Sequence, residues 1–167
     1  MVKEGIRERL EEYIIRNQER FYRLAYSHVG TREGALDVVQ NAVVKGLEGC
    51  GAIRRSEYME TWFFRVLINE CHGYGRKAGR EISYEPEALQ QMREEQGNAD
   101  DGLGSLGIYE DVMKLPDKMK TVIILRFYEE FTLGEIARIT GTGLSTVKYR
   151  LYTGLKQLKK LYEEESI

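Results

Sequence analysis

Residues 132–162 read Thr-Leu-Gly-Glu-Ile-Ala-Arg-Ile-Thr-Gly-Thr-Gly-Leu-Ser-Thr-Val-Lys-Tyr-Arg-Leu-Tyr and continue as Thr-Gly-Leu-Lys-Gln-Leu-Lys-Lys-Leu-Tyr. Leu133, Ile136, Ala137 and Ile139 mark a short first helix. Gly141 and Gly143 end it, because glycine alone takes left-handed backbone angles without steric cost. A second helix then carries Val147, Leu151, Leu155, Leu158 and Tyr162 at spacings of three and four. Ala137 supplies a small residue at a helix crossing, Gly141 a turn and Val147 a buried anchor, the order a helix-turn-helix requires. Ser145, Tyr149, Tyr152 and Lys156 point away from the apolar stripe, with Lys148 on its flank. That face is polar, aromatic and basic, and it suits a major groove. An αα-hairpin packed inside a helical domain is the plainer reading, and the position-specific small residue, turn and anchor favour DNA binding over it. Thr140 and Thr142 stand where such motifs more often carry apolar residues.

Outward from this stretch, the chain of 167 residues is long enough for one domain or two small ones. With 42% apolar and 31% charged residues it has the composition of a soluble, foldable protein. No run of about 18 apolar residues is present, so no membrane span is expected. The N-terminal residues lack an apolar signal core, which points to a cytoplasmic protein. Cys50 and Cys71 show no metal-ligand spacing and read as reduced thiols. No glycine-rich phosphate loop and no nucleophile–base pair appears, and His28 and His72 are isolated in the sequence. The chain is therefore not expected to be an enzyme or to hold a cofactor or metal.

The net charge of −2 conceals a pattern. Residues 1–80 carry 14 basic and 11 acidic side chains, and residues 112–167 carry 10 and 7. Between them, residues 81–111 set Arg93 against nine acids. Such a bridge repels phosphate, so DNA contacts are expected on either side of it. Its Gly97, Gly102, Gly104 and Gly107, with Asn98 and Ser105, leave little apolar surface to bury against the entropy of ordering. A flexible acidic linker over 81–106 is expected to join two domains, 1–80 and 107–167, since a structureless loop of that length is improbable inside one.

The first block is helical in pattern. Leu10, Ile14, Phe21, Leu24 and His28 predict helix over 4–28; Leu36, Val39, Val43 and Leu47 predict a second apolar stripe; Trp62, Phe63, Val66 and Leu67 predict a third helix from Glu60 to Lys77. No convincing β alternation appears. Three groups could carry function. Asp37, Gln40 and Asn41 lie on one helix face away from Leu36, Val39 and Val43, either as a solvated face or a docking one. Tyr58, Trp62, Phe63 and Phe64 are core, or flat rings able to hold unstacked bases. Asn69, Tyr74, Arg76, Lys77 and Arg80 are a cation-decorated helix end or a nucleic-acid contact.

Taken together these stretches resemble bacterial RNA polymerase sigma factors of the extracytoplasmic-function group. Arg23-Leu24-Ala25-Tyr26 followed by Asp37-Val38-Val39-Gln40 is similar to the start of sigma region 2. Thr61-Trp62-Phe63-Phe64-Arg65, then Asn69, Tyr74, Arg76 and Lys77, is similar to its end. Leu115-Pro116, then Val122 to Phe127 and the helix-turn-helix, is similar to region 4. The resemblance implies an all-α protein of two small helical domains, acting as an alternative sigma factor. It implies that Asp37, Gln40 and Asn41 contact core polymerase. It places Trp62, Phe63, Asn69, Arg76, Lys77 and Arg80 at the −10 element, and Ser145, Thr146, Lys148, Tyr149, Tyr152 and Lys156 at the −35 element. Core RNA polymerase, promoter DNA and an anti-sigma factor are the implied partners. Ile68 and Gly73 replace an Arg and an Asp frequent in the family. A helix-turn-helix repressor, and a sigma-like interaction module without promoter recognition, stay open on the residues alone.

Overall fold

In the computed structural model, residues 2–78 and 106–165 are described, and every regular element among them is helical. The chain divides into two units, Met1–Glu85 and Pro86–Ile167.

The first unit holds α1 (Val2–Arg16), α2 (Gln18–Val29), α3 (Arg32–Gly49) and α4 (Met59–Ala78), with 3₁₀ turns at Cys50–Ala52 and Ser56–Tyr58. The stripe over 4–28 predicts continuous helix, but the chain breaks at Asn17. Its backbone leaves helical angles at ψ 20°, and its Nδ2 donates to the Tyr13 carbonyl at 2.8 Å. An Asn side chain competing for backbone partners is a recurrent way for a helix to end. Helix α2 stops at Gly30, whose φ of 87° is left-handed and whose N–H reaches back to the Tyr26 carbonyl. Thr31 then caps α3, accepting the Gly34 N–H at 3.1 Å.

Leu10, Ile14, Phe21, Leu24, Phe63, Phe64 and Leu67 form the core of this unit. Helix α3 contributes Gly34, Ala35, Val38, Ala42 and Gly46 as its buried face. This corrects the expected stripe: Val39, Val43 and Leu47 are half-buried, and Leu36 is 46% exposed. The reason is steric. A methyl group on Gly46 would lie 2.9 Å from the Phe63 ring, and one on Gly34 would lie 2.3 Å from Val29 Cγ1. The inner face of α3 consists of small residues because its neighbours press against the backbone.

The second unit holds α5 (Leu106–Met113), α6 (Asp117–Ile123) and a π-helical turn (Ile124–Tyr128), then α7 (Leu133–Thr140) and α8 (Leu144–Glu165). Pro116 precedes α6, in the only region of a helix where its missing N–H costs nothing. Val122, Ile123, Leu125, Ile136, Ile139, Val147, Leu151 and Leu158 are its core. Along α8 the buried stripe passes through Gly154, where an added Cβ would lie 2.8 Å from Ile123 Cδ1. Leu155 is half-buried, and Tyr162, expected in the stripe, is 55% exposed.

Candidate nucleic-acid interface

The helix-turn-helix is fixed by its turn. Thr132 and Glu135 form a reciprocal cap at the start of α7: the Glu135 N–H donates to Thr132 Oγ1 at 3.1 Å, and the Thr132 N–H donates to Glu135 Oε1 at 2.9 Å. At the other end Gly141 adopts φ 68°, and the N–H groups of Gly141 and Thr142 both return to the Ala137 carbonyl. Gly143, expected to share this role, does not take a positive φ. Its carbonyl instead accepts the Val147 N–H at 3.1 Å, opening α8. Thr140 and Thr142 hold the turn polar: Thr140 Oγ1 donates to the Ile136 carbonyl at 2.8 Å and lies 2.9 Å from Thr142 Oγ1. Hydroxyls thus brace a turn that apolar residues brace in other motifs.

With Val147 fully buried, the rotation of α8 is set. Ser145, Lys148, Tyr149, Tyr152 and Lys156 are exposed, while Thr146 is half-buried beside the anchor. Tyr149 and Tyr152 are 66% and 63% exposed, large for aromatic rings with no role in packing. Leu144, at the leading end of the same helix, is exposed and was passed over in the sequence because it continues the apolar spacing.

In the first unit the predicted −10 group divides. Phe63 is fully buried, its ring 4.8 Å from that of Phe21 and 6.5 Å from that of Tyr13. It belongs to the core and presents no surface to a base, which corrects its assignment as a DNA contact. Trp62, one residue before it, is half-buried and lies along Gly49. Tyr58 and Asn69 are exposed. Arg76 and Lys77 belong to α4, but their side chains fall outside the described ones, and Arg80 lies outside the described residues altogether. Gly73 and Gly75 do not interrupt α4.

Asp37, Gln40 and Asn41 are exposed on α3. They are not set apart from all the apolar residues: Leu36 and the 54%-exposed Val44 share their side of the helix at four-residue spacing. A face of one acid, two amides and two aliphatic chains fits a protein partner better than a phosphate backbone. A cleft of about 520 Å³ opens elsewhere on this unit, lined by Arg9, Arg54 and Arg55 with Gly5, Ile6, Ser56 and Glu57. Its basic character rests on the Arg54-Arg55 doublet, a sequence signal that helical spacing does not register.

His28 is buried, its Nδ1 3.0 Å from the Leu24 carbonyl and 3.1 Å from Ser27 Oγ. Its ring lies 6.0 Å from that of His72, so two histidines isolated in sequence are neighbours in space. Burial raises the Tyr128 phenol far above its usual range, and its ring packs edge to face with that of Tyr109 at 5.1 Å. Cys50 and Cys71 are both buried, and the Cys50 thiol donates to the Leu47 carbonyl at 3.4 Å. Among the described residues, no group of three or more His, Cys, Asp or Glu side chains could hold a metal ion, and no helix is long and apolar enough to cross a membrane.

Comparison with known proteins agrees with this geometry. The model of the family "Sigma-70 region 2" matches residues 13–81, and that of "Sigma-70, region 4" matches residues 112–160. The chain is 33% identical over 151 residues to RNA polymerase sigma factor SigV of Bacillus subtilis, covering 90% of this chain and 89% of that protein. It is 26% identical to ECF RNA polymerase sigma factor SigW of the same organism, covering 95% and 91%. In fold it is similar to CnrH, solved with the cytosolic domain of CnrY (TM-score 0.72, 17% identity, 97% and 92% covered). It is also similar to RpoE of Bartonella quintana, solved with the anti-sigma factor NepR (TM-score 0.70, 20% identity, 92% and 96% covered).

Proposed function

The chain belongs to the extracytoplasmic-function group of the sigma-70 family, and from that membership we propose how its surfaces divide the work of starting transcription. It is an alternative sigma factor that binds core RNA polymerase and directs promoter-specific initiation. The exposed side of α3, with Asp37, Gln40 and Asn41 beside Leu36 and Val44, docks on the polymerase. The outer side of α8 reads the −35 element through Ser145, Lys148 and Tyr149, while Tyr152 and Lys156 follow the strand away from the groove floor. Thr146, half-buried, positions the start of that helix.

Trp62 and Asn69, with Arg76, Lys77 and Arg80, serve the −10 element. Extruding a base from the stack costs a few kcal/mol, offset by stacking on an aromatic ring and by hydrogen bonds to the base edge. Trp62 and the exposed Tyr58 are the rings available for this, since Phe63 and Phe64 are core. The chemistry of RNA synthesis belongs to the polymerase, and this chain supplies the address from the cytoplasm. Residues 1–80 serve as the region 2 domain and 107–167 as the region 4 domain, with 81–106 as a flexible acidic linker between them. Limited proteolysis should then cut first within 81–106. An anti-sigma factor holds the protein inactive, as the complexes of CnrH with CnrY and of RpoE with NepR suggest.

One observation carries this reading: the chain displays two exposed faces of opposite chemistry, acidic and aliphatic on α3, basic and aromatic on α8. The test is in-vitro transcription with purified core polymerase on a randomised promoter library. Transcripts should arise from templates sharing two spaced elements. Start sites no different from those of core polymerase alone would refute it.

A further inference from the structure

Seven side chains of α8 between Leu144 and Gln157 are exposed: Leu144, Ser145, Lys148, Tyr149, Tyr152, Lys156 and Gln157. Bidentate base reading in a major groove is the work of Arg or Lys on guanine or of Asn and Gln on adenine. Of these types only Lys148 is exposed in the first three turns; Arg150 is half-buried on the flank of the core stripe, and Gln157 comes only in the fourth turn. Beside Ser145 and Lys148, those turns offer apolar surface. Leu144 is 45% exposed at the leading end of the helix, and Tyr149 is 66% exposed five residues on. The N-terminal residues of a recognition helix are those that reach base edges. The one apolar group on a major-groove base edge is the C5 methyl of thymine.

We propose that Leu144 and Tyr149 read thymine methyl groups in the −35 element, adding apolar base contacts to the polar contact of Lys148. This rests on the assignment of α8 to the −35 element. Lys148, four residues after Leu144 and on the same side, supplies with Ser145 the polar contacts that fix register. Tyr149 contributes its ring edge, and its exposed hydroxyl stays in reach of water or phosphate, so the ring buries without leaving a polar group unpaired.

Burying one methyl against a side chain is worth about a fourfold change in binding. The probe is the −35 duplex that holoenzyme selects from a randomised library, with each thymine replaced in turn by 2′-deoxyuridine, which lacks only the methyl. One or two replacements inside the element should weaken binding about three- to fivefold, and replacements outside it should have no effect. Leu144→Ser and Tyr149→Ser should each abolish the sensitivity at one position and leave the other intact. Both residues are exposed, so both variants should fold. Equal binding of every deoxyuridine duplex, while ordinary base changes still cost affinity, would overturn the methyl contact and leave the −35 assignment standing. A selected element without thymine on either strand would overturn it in the same way. Binding indifferent to every change in the element would overturn the −35 assignment, and the methyl contact with it.

Discussion

Phe63 and Trp62 are neighbours in sequence with opposite predicted fates, and substitution at Phe63 separates them. The Phe63 ring is fully buried and meets the rings of Phe21 at 4.8 Å and Tyr13 at 6.5 Å. Phe63→Ala would leave a cavity costing about 3–5 kcal/mol. A unit of 85 residues, Met1–Glu85, has a total stability of roughly 4–13 kcal/mol, so this variant should lose a large share of that stability, and all of it at the low end of the range. Phe63→Leu keeps most of the volume and loses the ring pairs, each worth about 0.5–1.5 kcal/mol. It should therefore cost about 1–3 kcal/mol and lower the melting temperature by about 4–8 °C per kcal/mol. Trp62 is the single tryptophan in the chain, so its fluorescence follows the unfolding of this unit alone. At a temperature where Phe63→Leu remains folded, promoter opening should equal that of the parent protein. Trp62→Leu should do the reverse, with a smaller loss of stability and a marked loss of opening. If Phe63→Leu kept its melting temperature and lost promoter opening, the ring would face DNA and the core assignment would be wrong.

Three further outcomes are expected. Asp37→Lys combined with Gln40→Ala should weaken binding to core polymerase at least tenfold in a titration, with helical content unchanged by circular dichroism because both side chains are exposed; unchanged affinity would remove α3 as the docking face. Lys148→Ala should cost about 1–3 kcal/mol on the preferred −35 site and little on other DNA, whereas Lys156→Ala should weaken all sequences alike and lower the salt slope by about one; equal losses on every sequence for Lys148→Ala would make it a backbone contact. Gly154→Leu should destabilise the second unit by roughly 1–3 kcal/mol or more through over-packing, since even a Cβ would meet Ile123 Cδ1 at 2.8 Å; faster amide exchange in α6 and α8 should report it, and slower exchange would contradict the close approach.

Helical class was legible because apolar spacing and turn glycines act locally, and the helix-turn-helix in particular is encoded within a few residues of each contact it makes. Which side of a helix is buried was less legible where packing is tight. On α3 the buried residues are Gly34, Ala35, Val38, Ala42 and Gly46, mostly too small for a count of large apolar side chains to register, so Leu36 is expected inside and lies exposed. The same logic displaced Tyr162, because Gly154 and not a large residue carries the stripe across Ile123. Phe63 and Trp62 could not be told apart by residue type, since adjacent helical positions differ by about 100° and only the packing of α2 decides which faces inward. The Arg9 and Arg54-Arg55 cleft brings α1 against a loop far along the chain, a juxtaposition that no local pattern encodes.

The most direct measurement places 2-aminopurine in the −10 element of a promoter selected by the holoenzyme and follows its fluorescence. The emission should rise as the base unstacks only when the chain and core polymerase are both present, and should stay low with either alone. A chain that bound the duplex tightly by itself, with no dependence on core polymerase and no unstacking at −10, would be an operator-binding regulator and not a sigma factor.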